Sequence, residues 1–223
     1  MAKVGQVIKA VIFDMGGVLT PHPKNIWIDY EEAHNLKGGS IRETLMTPEV
    51  FTKFIEAQRG EMAADQFEQQ YCDAYNQQHG TSVDKVPLVS ECFSVESVRS
   101  HLRPKMLDAI RILRERGLKV ALLTNVMPFD ADGELPTIPF EDDGSVFDAV
   151  VESCKVGLRK PDPAIYQHTL TRLVCSEEEA VFLDDLEVNT KAAKNMGMAA
   201  ITVDEEDAAL EELETIVGFK LTT

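Results

Sequence analysis

The sequence predicts an α/β protein built on a parallel β-sheet, and two observations support this fold class. Short runs of β-branched and aliphatic residues alternate with longer amphipathic stretches, as expected when helices connect strands that are buried on both faces. The length of 223 residues is enough for one sizeable α/β core with a small accessory unit. Five such runs are predicted strands, at residues 10–13, 120–123, 149–151, 181–183 and 199–203.

The helices that connect most of these strands have recognisable ends. Pro104 marks the first turn of one helix, and Gly117 ends it. A second helix follows Asp162, and a third covers residues 187–196 and is closed by Gly197. The second and third strands are joined instead by a loop.

Residues 21–101 have a different character, because they lack strand-like runs. Their apolar residues recur at helical spacing, as in the series Val50, Phe51, Phe54 and Ile55 and the series Phe67, Tyr71 and Tyr75. The sequence therefore predicts a helical insert between the first and second strands.

Residues 127–145 are rich in proline, glycine and acidic residues, which predicts an irregular excursion. Within it, Asp130, Asp132 and Glu134 weakly resemble a calcium-binding loop, but Gly133 is in the wrong place for an EF-hand. A solvated loop is the favoured interpretation.

Composition argues against several functional classes. The chain has 22 Lys and Arg against 38 Asp and Glu, a formal net charge of −16, and it has no basic patch that would attract nucleic acid or an anionic membrane surface. The apolar run at residues 7–13 is interrupted by Lys9 and is too short to span a bilayer. The four cysteines lack metal-ligand spacing, which favours free thiols in a cytoplasmic protein: Cys72, Cys92, Cys154 and Cys175.

Polar clusters occur at the ends of the predicted strands where open α/β sheets bind their ligands. Asp14 follows the first strand, and Gly16 and Gly17 behind it permit a tight turn that would present the carboxylate as a nucleophile. Thr124 and Asn125 end the second strand, where a hydroxyl and nearby backbone N–H groups could hold an anionic oxygen.

Two further clusters complete the pattern. Lys160 offers a fixed positive charge, and the pair Asp184 and Asp185 suits a hard cation such as Mg²⁺, which prefers oxygen ligands. Each cluster alone would more often be a helix cap, a turn or a solvated charge. Four of them in order behind hydrophobic strands are difficult to explain as caps.

On these residues the chain resembles the haloacid dehalogenase-like hydrolases. The matching motifs span almost the whole chain: V-I-F-D-M-G-G-V-L at 11–19, L-L-T-N at 122–125, R-K-P-D-P at 159–163 and V-F-L-D-D at 181–185. Residues 152–166 and 182–198 are also similar to the N-terminal phosphatase domain of soluble epoxide hydrolases and to the corresponding domain of an acyl-CoA dehydrogenase family protein.

The resemblance implies a Rossmann-like, three-layer core formed by residues 1–20 and 102–223, with residues 21–101 as a small helical cap. It also implies a phosphatase that acts on a small phosphorylated metabolite through an aspartyl-phosphate at Asp14, assisted by Lys160 and Thr124. The implied phosphate-binding residues are Thr124, Asn125, Lys160 and Gly17. The implied Mg²⁺ ligands are Asp14, the backbone carbonyl of Gly16, and Asp185, with Asp184 orienting either the metal shell or Lys160.

The chain departs from the family pattern at Gly16, where most phosphatases of the family place a second aspartate as general acid and base. Such a group typically contributes about 10²–10⁴-fold in rate. The favoured interpretation is a slow phosphatase, or one whose substrate has a good leaving group. A pseudoenzyme that binds a phosphorylated ligand or a protein is the alternative, and a dehalogenase is less favoured because it needs no metal site. His22 is the nearest titratable substitute, although a structural or solvated histidine is favoured, and Trp27 and Arg59 are possible cleft residues.

Overall fold

A computed structural model describes residues 7–22, 24–86, 88, 94–130, 132 and 135–221. Its centre is a five-stranded, fully parallel sheet in the order β3-β2-β1-β4-β5. The strands are β1 (Ala10–Phe13), β2 (Lys119–Thr124), β3 (Ala149–Glu152), β4 (Ala180–Asp184) and β5 (Ala199–Thr202). All five predicted strands are confirmed. Each observed bound equals the predicted one or differs from it by one residue.

The register of the sheet aligns the carboxyl ends of its central strands. Phe13, the last residue of β1, is paired with Leu122 of β2 on one side and with Leu183 of β4 on the other. The chain passes from β1 to β2 in one direction and later to β4 in the other, which creates the crevice where ligands bind in open α/β sheets.

Ten α-helices lie in the part of the chain that the structure describes. They are α1 (Lys24–Ala33), α2 (Ser40–Leu45), α3 (Pro48–Gln58), α4 (Ala64–His79), α5 (Val95–Ser100), α6 (Pro104–Glu115), α7 (Ser153–Val156), α8 (Pro163–Leu173), α9 (Glu187–Met196) and α10 (Glu206–Val217). The three helices whose ends were predicted from Pro104, Asp162 and Gly197 correspond to α6, α8 and α9.

The sheet is buried on both faces, as its hydrophobic strands require. Val11 and Phe13 belong to a core cluster that contains residues of α6 and α10, whereas Ile12 belongs to a second cluster that contains residues of α8 and α9. Successive side chains of a strand point to opposite faces, so β1 contributes to both clusters. The result is a three-layer α/β core of the Rossmann-like type.

Helices α1 to α5 lie between β1 and α6, and we refer to residues 24–100 as the helical insert. The first four of these helices build a separate apolar cluster around Phe67, Tyr71 and Tyr75. The buried carboxylate of Glu31 accepts backbone N–H bonds from Gly39 and Ile41, both at 2.7 Å, and so fixes the start of α2. The predicted helical character is therefore present, while the domain boundaries at residues 21 and 101 stay a prediction.

The excursion after β2 has no helix or strand among its described residues. Asp142 accepts a hydrogen bond from the backbone N–H of Val150 at 2.9 Å, and one guanidinium nitrogen of Arg172, Nη2, donates to both of its carboxylate oxygens at 2.6 and 2.8 Å. The bond from the Val150 N–H, and one from Arg172 Nη1 to the Val150 carbonyl at 2.6 Å, satisfy outward backbone groups of β3, the edge strand of the sheet. Two of the residues considered for calcium, Gly133 and Glu134, lie outside the described residues.

The described cysteines are free thiols: Cys72, Cys154 and Cys175. Cys92 lies outside the described residues. None of the helices that the structure describes is long and apolar enough to cross a membrane.

Candidate active site

Asp14 is the first residue after β1 and lies in the crevice of the sheet. Its backbone N–H donates to the carbonyl of Leu183 at 2.9 Å, which continues the sheet pairing by one residue. Its carboxylate accepts the backbone N–H of Met15 at 2.7 Å. The residue is only 8% exposed, so its charged side chain needs a partner of opposite charge.

Lys160 provides that positive charge. Its amine lies 2.7 Å from Asp14 Oδ1 and 2.7 Å from Asp184 Oδ2, and it donates to the carbonyl of Leu123 at 3.0 Å. The side chain is 1% exposed. Burial disfavours the charged amine, but the negative charges of Asp14 and Asp184 outweigh this effect and raise the pKa of Lys160.

Asn125 holds the backbone at this lysine. Its side-chain amide donates to the carbonyl of Lys160 at 3.0 Å, and its side-chain oxygen accepts the backbone N–H of Lys160 at 2.9 Å. Thr124, by contrast, is buried at the end of β2, and its hydroxyl has no hydrogen bond to any residue that the structure describes. The structure thus brings Thr124, Asn125 and Lys160 together and gives the Asn125 side chain a clear role in placing Lys160.

The two adjacent acids of β4 and its following turn have different surroundings. Asp184 is fully buried, and its oxygens accept bonds from Lys160, from the backbone N–H of Leu186 at 2.9 Å, and from the side-chain amide of Asn189 at 2.9 and 3.0 Å. Because both oxygens are occupied, these contacts assign Asp184 to holding Lys160. Sequence reasoning missed Asn189, whose signal is its place in the first turn of the helix that follows the acids.

Asp185 is less buried than Asp184. Its side chain is 11% exposed, and Oδ2 lies 3.4 Å from Nε2 of His22. Burial and the negative charge of Asp184 raise the pKa of Asp185 to about 6. Burial also raises the pKa of Asp14, although Lys160 partly opposes it.

The charge balance of this cluster fits a divalent cation. One carboxylate oxygen from each of Asp14, Asp184 and Asp185 can be chosen so that all three lie within 4.8 Å of one another, and this is the only such group among the described His, Cys, Asp and Glu residues. Three carboxylates against one ammonium leave two negative charges in excess. A hard divalent ion with oxygen ligands would neutralise this excess, and the donor set suits it.

Gly17 has to be a glycine for two reasons. Its φ angle is +78°, which side-chain-bearing residues rarely adopt, and a Cβ atom built on it would collide with the carboxyl group of Asp185. The turn around it is closed by backbone bonds from Leu19 and Thr20 to the carbonyl of Met15, at 2.8 and 3.0 Å. The close approach of Gly17 to Asp185 therefore unites the turn after β1 with the turn after β4.

The three residues predicted near the cleft, His22, Trp27 and Arg59, lie in different surroundings. His22 reaches the site, since Nε2 faces Asp185 while Nδ1 accepts the backbone N–H of Lys24 at 2.9 Å. Burial and the positive charge of Lys24 lower the pKa of His22. Trp27 packs against the apolar cluster of the insert, and Arg59 forms an ion pair with Glu61 at 2.7 Å.

Comparison with known proteins matches this architecture to one family. The family profile of the haloacid dehalogenase-like hydrolases matches residues 8–197. Acyl-CoA dehydrogenase family member 10 of Mus musculus is 36% identical over 97% of this chain, and bifunctional epoxide hydrolase 2 of Sus scrofa is 30% identical over 96%. The chain spans only 20% and 40% of the length of these two relatives.

A third relative has the size of this chain. The sesquiterpene phosphatase astK of Aspergillus oryzae is 30% identical over 94% of this chain and 97% of its own length. Among solved structures, a predicted hydrolase of the same family from Porphyromonas gingivalis covers 95% of this chain and 98% of its own, at 22% identity and a TM-score of 0.66. A Bacteroides thetaiotaomicron enzyme of the family, solved with magnesium and inorganic phosphate, covers 89% and 96% at 21% identity and a TM-score of 0.53. At these identities the two structures support the fold alone.

Proposed function

This chain belongs to the haloacid dehalogenase-like hydrolase family, and we propose that it is a Mg²⁺-dependent phosphatase that acts on a small phosphorylated metabolite through an aspartyl-phosphate at Asp14. The observation that carries the proposal is the buried contact of Lys160 with both Asp14 and Asp184, beside the carboxylate of Asp185, which is less buried than that of Asp184. A nucleophile, a phosphate-binding cation and a metal ligand lie within one crevice.

Asp14 and Asp185 would hold the metal ion, together with the backbone carbonyl of Gly16. Asp184 is the third acid of the cluster, but its oxygens already accept hydrogen bonds from Lys160, Leu186 and Asn189. This supports a role in orienting Lys160 and not in binding the metal directly. When bound, Mg²⁺ supplies positive charge that offsets the repulsion between the carboxylates and an incoming phosphate.

The chemistry of the chain's own residues follows from their positions. A carboxylate oxygen of Asp14 attacks phosphorus, a bond from phosphorus to that oxygen forms, and the ester bond to the leaving oxygen breaks. Lys160, the Thr124 hydroxyl and the backbone N–H at Gly17 would hold the phosphate oxygens as charge moves between them. Water then attacks phosphorus, the bond from phosphorus to the Asp14 oxygen breaks, and inorganic phosphate leaves while the proton lost by the water passes to solvent and the Asp14 carboxylate is regenerated.

Gly16 limits the range of substrates. Without an acid two residues after Asp14, the leaving oxygen departs unassisted unless His22 donates to it. We therefore expect acyl, aryl or anomeric phosphates to be hydrolysed faster than alkyl phosphates, for which protonation matters more. The same glycine favours the alternative function, a protein that binds a phosphorylated ligand without turnover.

The helical insert would act as the cap over this crevice. Three contacts join its α3–α4 turn to the core: Gln58 accepts from Arg159, Ala64 donates to the carbonyl of Pro128, and Gly60 lies against the backbone of Cys154. A cap in this place would exclude water and select the leaving group.

The test is phosphate release from p-nitrophenyl phosphate and from a panel of metabolite phosphates, with and without Mg²⁺. We expect release that depends on Mg²⁺ and that falls at least about 10³-fold in Asp14→Asn, because the nucleophile is removed. Asp108→Asn, at an exposed position of α6, is the matched control and should retain full activity. Faster turnover in Gly16→Asp would identify the missing acid as the limiting group.

Two results would replace this proposal with the binding function. Wild-type protein would release no phosphate from any substrate, and turnover would arise only in Gly16→Asp. Retained binding of the phosphorylated compound by Asp14→Asn would agree with that outcome.

A further inference from the structure

Arg159 lies at the junction between the helical insert and the core, immediately before Lys160. Its Nε donates to the side-chain oxygen of Gln58, the last residue of α3, at 3.0 Å, across 101 positions of sequence. Gln58 is itself 7% exposed. This bond connects the residue that precedes the buried lysine of the site to a buried residue of the insert.

No carboxylate lies within ion-pair distance of Arg159 in the described part of the chain. Burial of its guanidinium, together with the positive charge of Arg59, lowers the pKa of Arg159. A charged guanidinium that is partly removed from water needs a hydrogen-bond partner to stabilise it there. Among the described residues, Gln58 is the one whose side chain accepts a hydrogen bond from the Arg159 guanidinium.

The turn that carries Gln58 is seated closely on the core. Gly60 has a φ angle of +80°, and a Cβ atom there would collide with the carbonyl oxygen of Cys154. The backbone N–H of Ala64 donates to the carbonyl of Pro128 at 2.8 Å. Any movement of the insert away from the crevice therefore has to separate Gln58 from Arg159.

We propose that Gln58 is a positioning residue for the reaction. When the helical insert lies against the core, Gln58 holds Arg159, and Arg159 in turn keeps the adjacent Lys160 in place to contact Asp14. The proposal rests on the proposed phosphatase function. The segment at Lys160 is held from the core side by Asn125 and from the insert side by Gln58. When the insert lies against the core, the bonds from Asn125 and Gln58 are both formed, and the Lys160 amine is fixed between Asp14 and Asp184.

The kinetic test compares Gln58→Ala with Gln69→Ala, an exposed glutamine of the neighbouring helix α4. Loss of a hydrogen bond to a charged group should lower kcat about tenfold in Gln58→Ala, with KM changed less than twofold, because Lys160 is misplaced in the transition state. Gln58→Glu retains an acceptor for Arg159 and should restore kcat. The pair Gln58→Ala and Arg159→Ala should lose no more than the worse single variant, since the two act through one bond.

Hydrogen exchange supplies a readout that does not depend on turnover. In Gln58→Ala the amides of the α3–α4 turn and those of Arg159, Lys160 and Asp162 should exchange faster together, whereas Gln69→Ala should leave both sets unchanged. Faster exchange in the turn alone, or additive kinetic losses with KM and kcat changed equally, would overturn the positioning role. If wild-type protein has no phosphatase activity, the proposed function fails, and this exchange experiment still decides whether the insert and the Lys160 segment are coupled.

Discussion

The crevice at the end of the sheet and the helical insert differ in how their residues are held. In the crevice, Asp14 and Asp184 sit where adjacent parallel strands end, and Lys160 bridges them at 2.7 Å on each side. In the insert, Gln58 reaches the core from the end of a helix through one hydrogen bond of 3.0 Å. The position of a site residue at the end of a paired strand is fixed by backbone hydrogen bonds. The position of a site residue on a helix depends on how that helix packs against the core.

This difference has an electrostatic counterpart. The crevice concentrates one buried ammonium and three carboxylates, and these charges contribute to the pKa shifts of Asp14, Lys160 and Asp185. The insert buries mainly aromatic and aliphatic groups, and one of its buried carboxylates, Glu31, accepts hydrogen bonds from backbone N–H groups. Changes in the crevice should therefore depend strongly on pH and metal, and changes in the insert should not.

The largest expected effect comes from Lys160→Met, which removes the one ammonium of the crevice. Asp14 and Asp184 would stay buried without a counter-charge, and breaking such a buried ion pair costs about 3–5 kcal/mol of unfolding free energy. The loss should be greatest at pH 7 and should shrink towards pH 4, because burial raises the pKa of Asp14 and its carboxyl takes up a proton. Chemical denaturation of metal-free protein at the two pH values measures it.

The matched control is Lys119→Met. Lys119 pairs with Asp148 at 2.7 Å but is 57% exposed, so the loss should stay below about 1 kcal/mol. Equal losses in the two variants would contradict the view that Lys160 is the electrostatic centre of the crevice.

The site residues of the crevice could be predicted from the sequence, whereas the contact made by the insert could not. Asp14, Thr124 and Asp184 were identifiable because each ends a short hydrophobic strand, and parallel pairing brings such ends to one edge. Gln58 was not identifiable, because helical periodicity gives the buried face of a helix but does not indicate which distant segment that face contacts. Arg159 lay inside a recognised motif, yet its contact with the insert depends on tertiary packing between residues 101 positions apart.

The sequence also left the two acids of the fourth motif with overlapping roles. Adjacent residues at the end of a strand point in different directions, and only the structure shows that Asp184 is enclosed by Lys160, Leu186 and Asn189 while Asp185 stays accessible. The helical insert was predicted as helical from its apolar spacing, and its separate core around Tyr71 agrees with that prediction.

An intermediate effect is expected from Gly17→Ala, which compares the two regions directly. Gly17 in the crevice and Gly80 at the end of α4 in the insert both have positive φ angles, +78° and +64°. An alanine at Gly80 meets open space and should cost about 1–2 kcal/mol for the backbone conformation alone. At Gly17 the same backbone cost is joined by the collision with Asp185, so the loss should exceed that of Gly80→Ala by at least about 1 kcal/mol.

Thermal unfolding of the two alanine variants with and without Mg²⁺ checks this expectation. Gly17→Ala should also lose most of the stabilisation by Mg²⁺, because Asp185 is displaced, whereas Gly80→Ala should keep it. Identical behaviour would mean that the turn after Asp14 adapts without moving Asp185.

The smallest effect is a gain in stability, expected for Asp185→Asn in metal-free protein. Burial and Asp184 raise the pKa of Asp185 from 3.8 to about 6 in the folded protein, so folding is opposed by the ionised carboxylate. This penalty is absent below pH 4, grows as pH rises and is complete above about pH 6. Allowing for the solvent that reaches this carboxyl, the variant should gain about 1–2 kcal/mol at pH 7 and nothing at pH 4. Adding Mg²⁺ should reverse the order, because the ion stabilises wild type through Asp185 and not the variant; a wild type that stays less stable in Mg²⁺ would exclude Asp185 as a ligand.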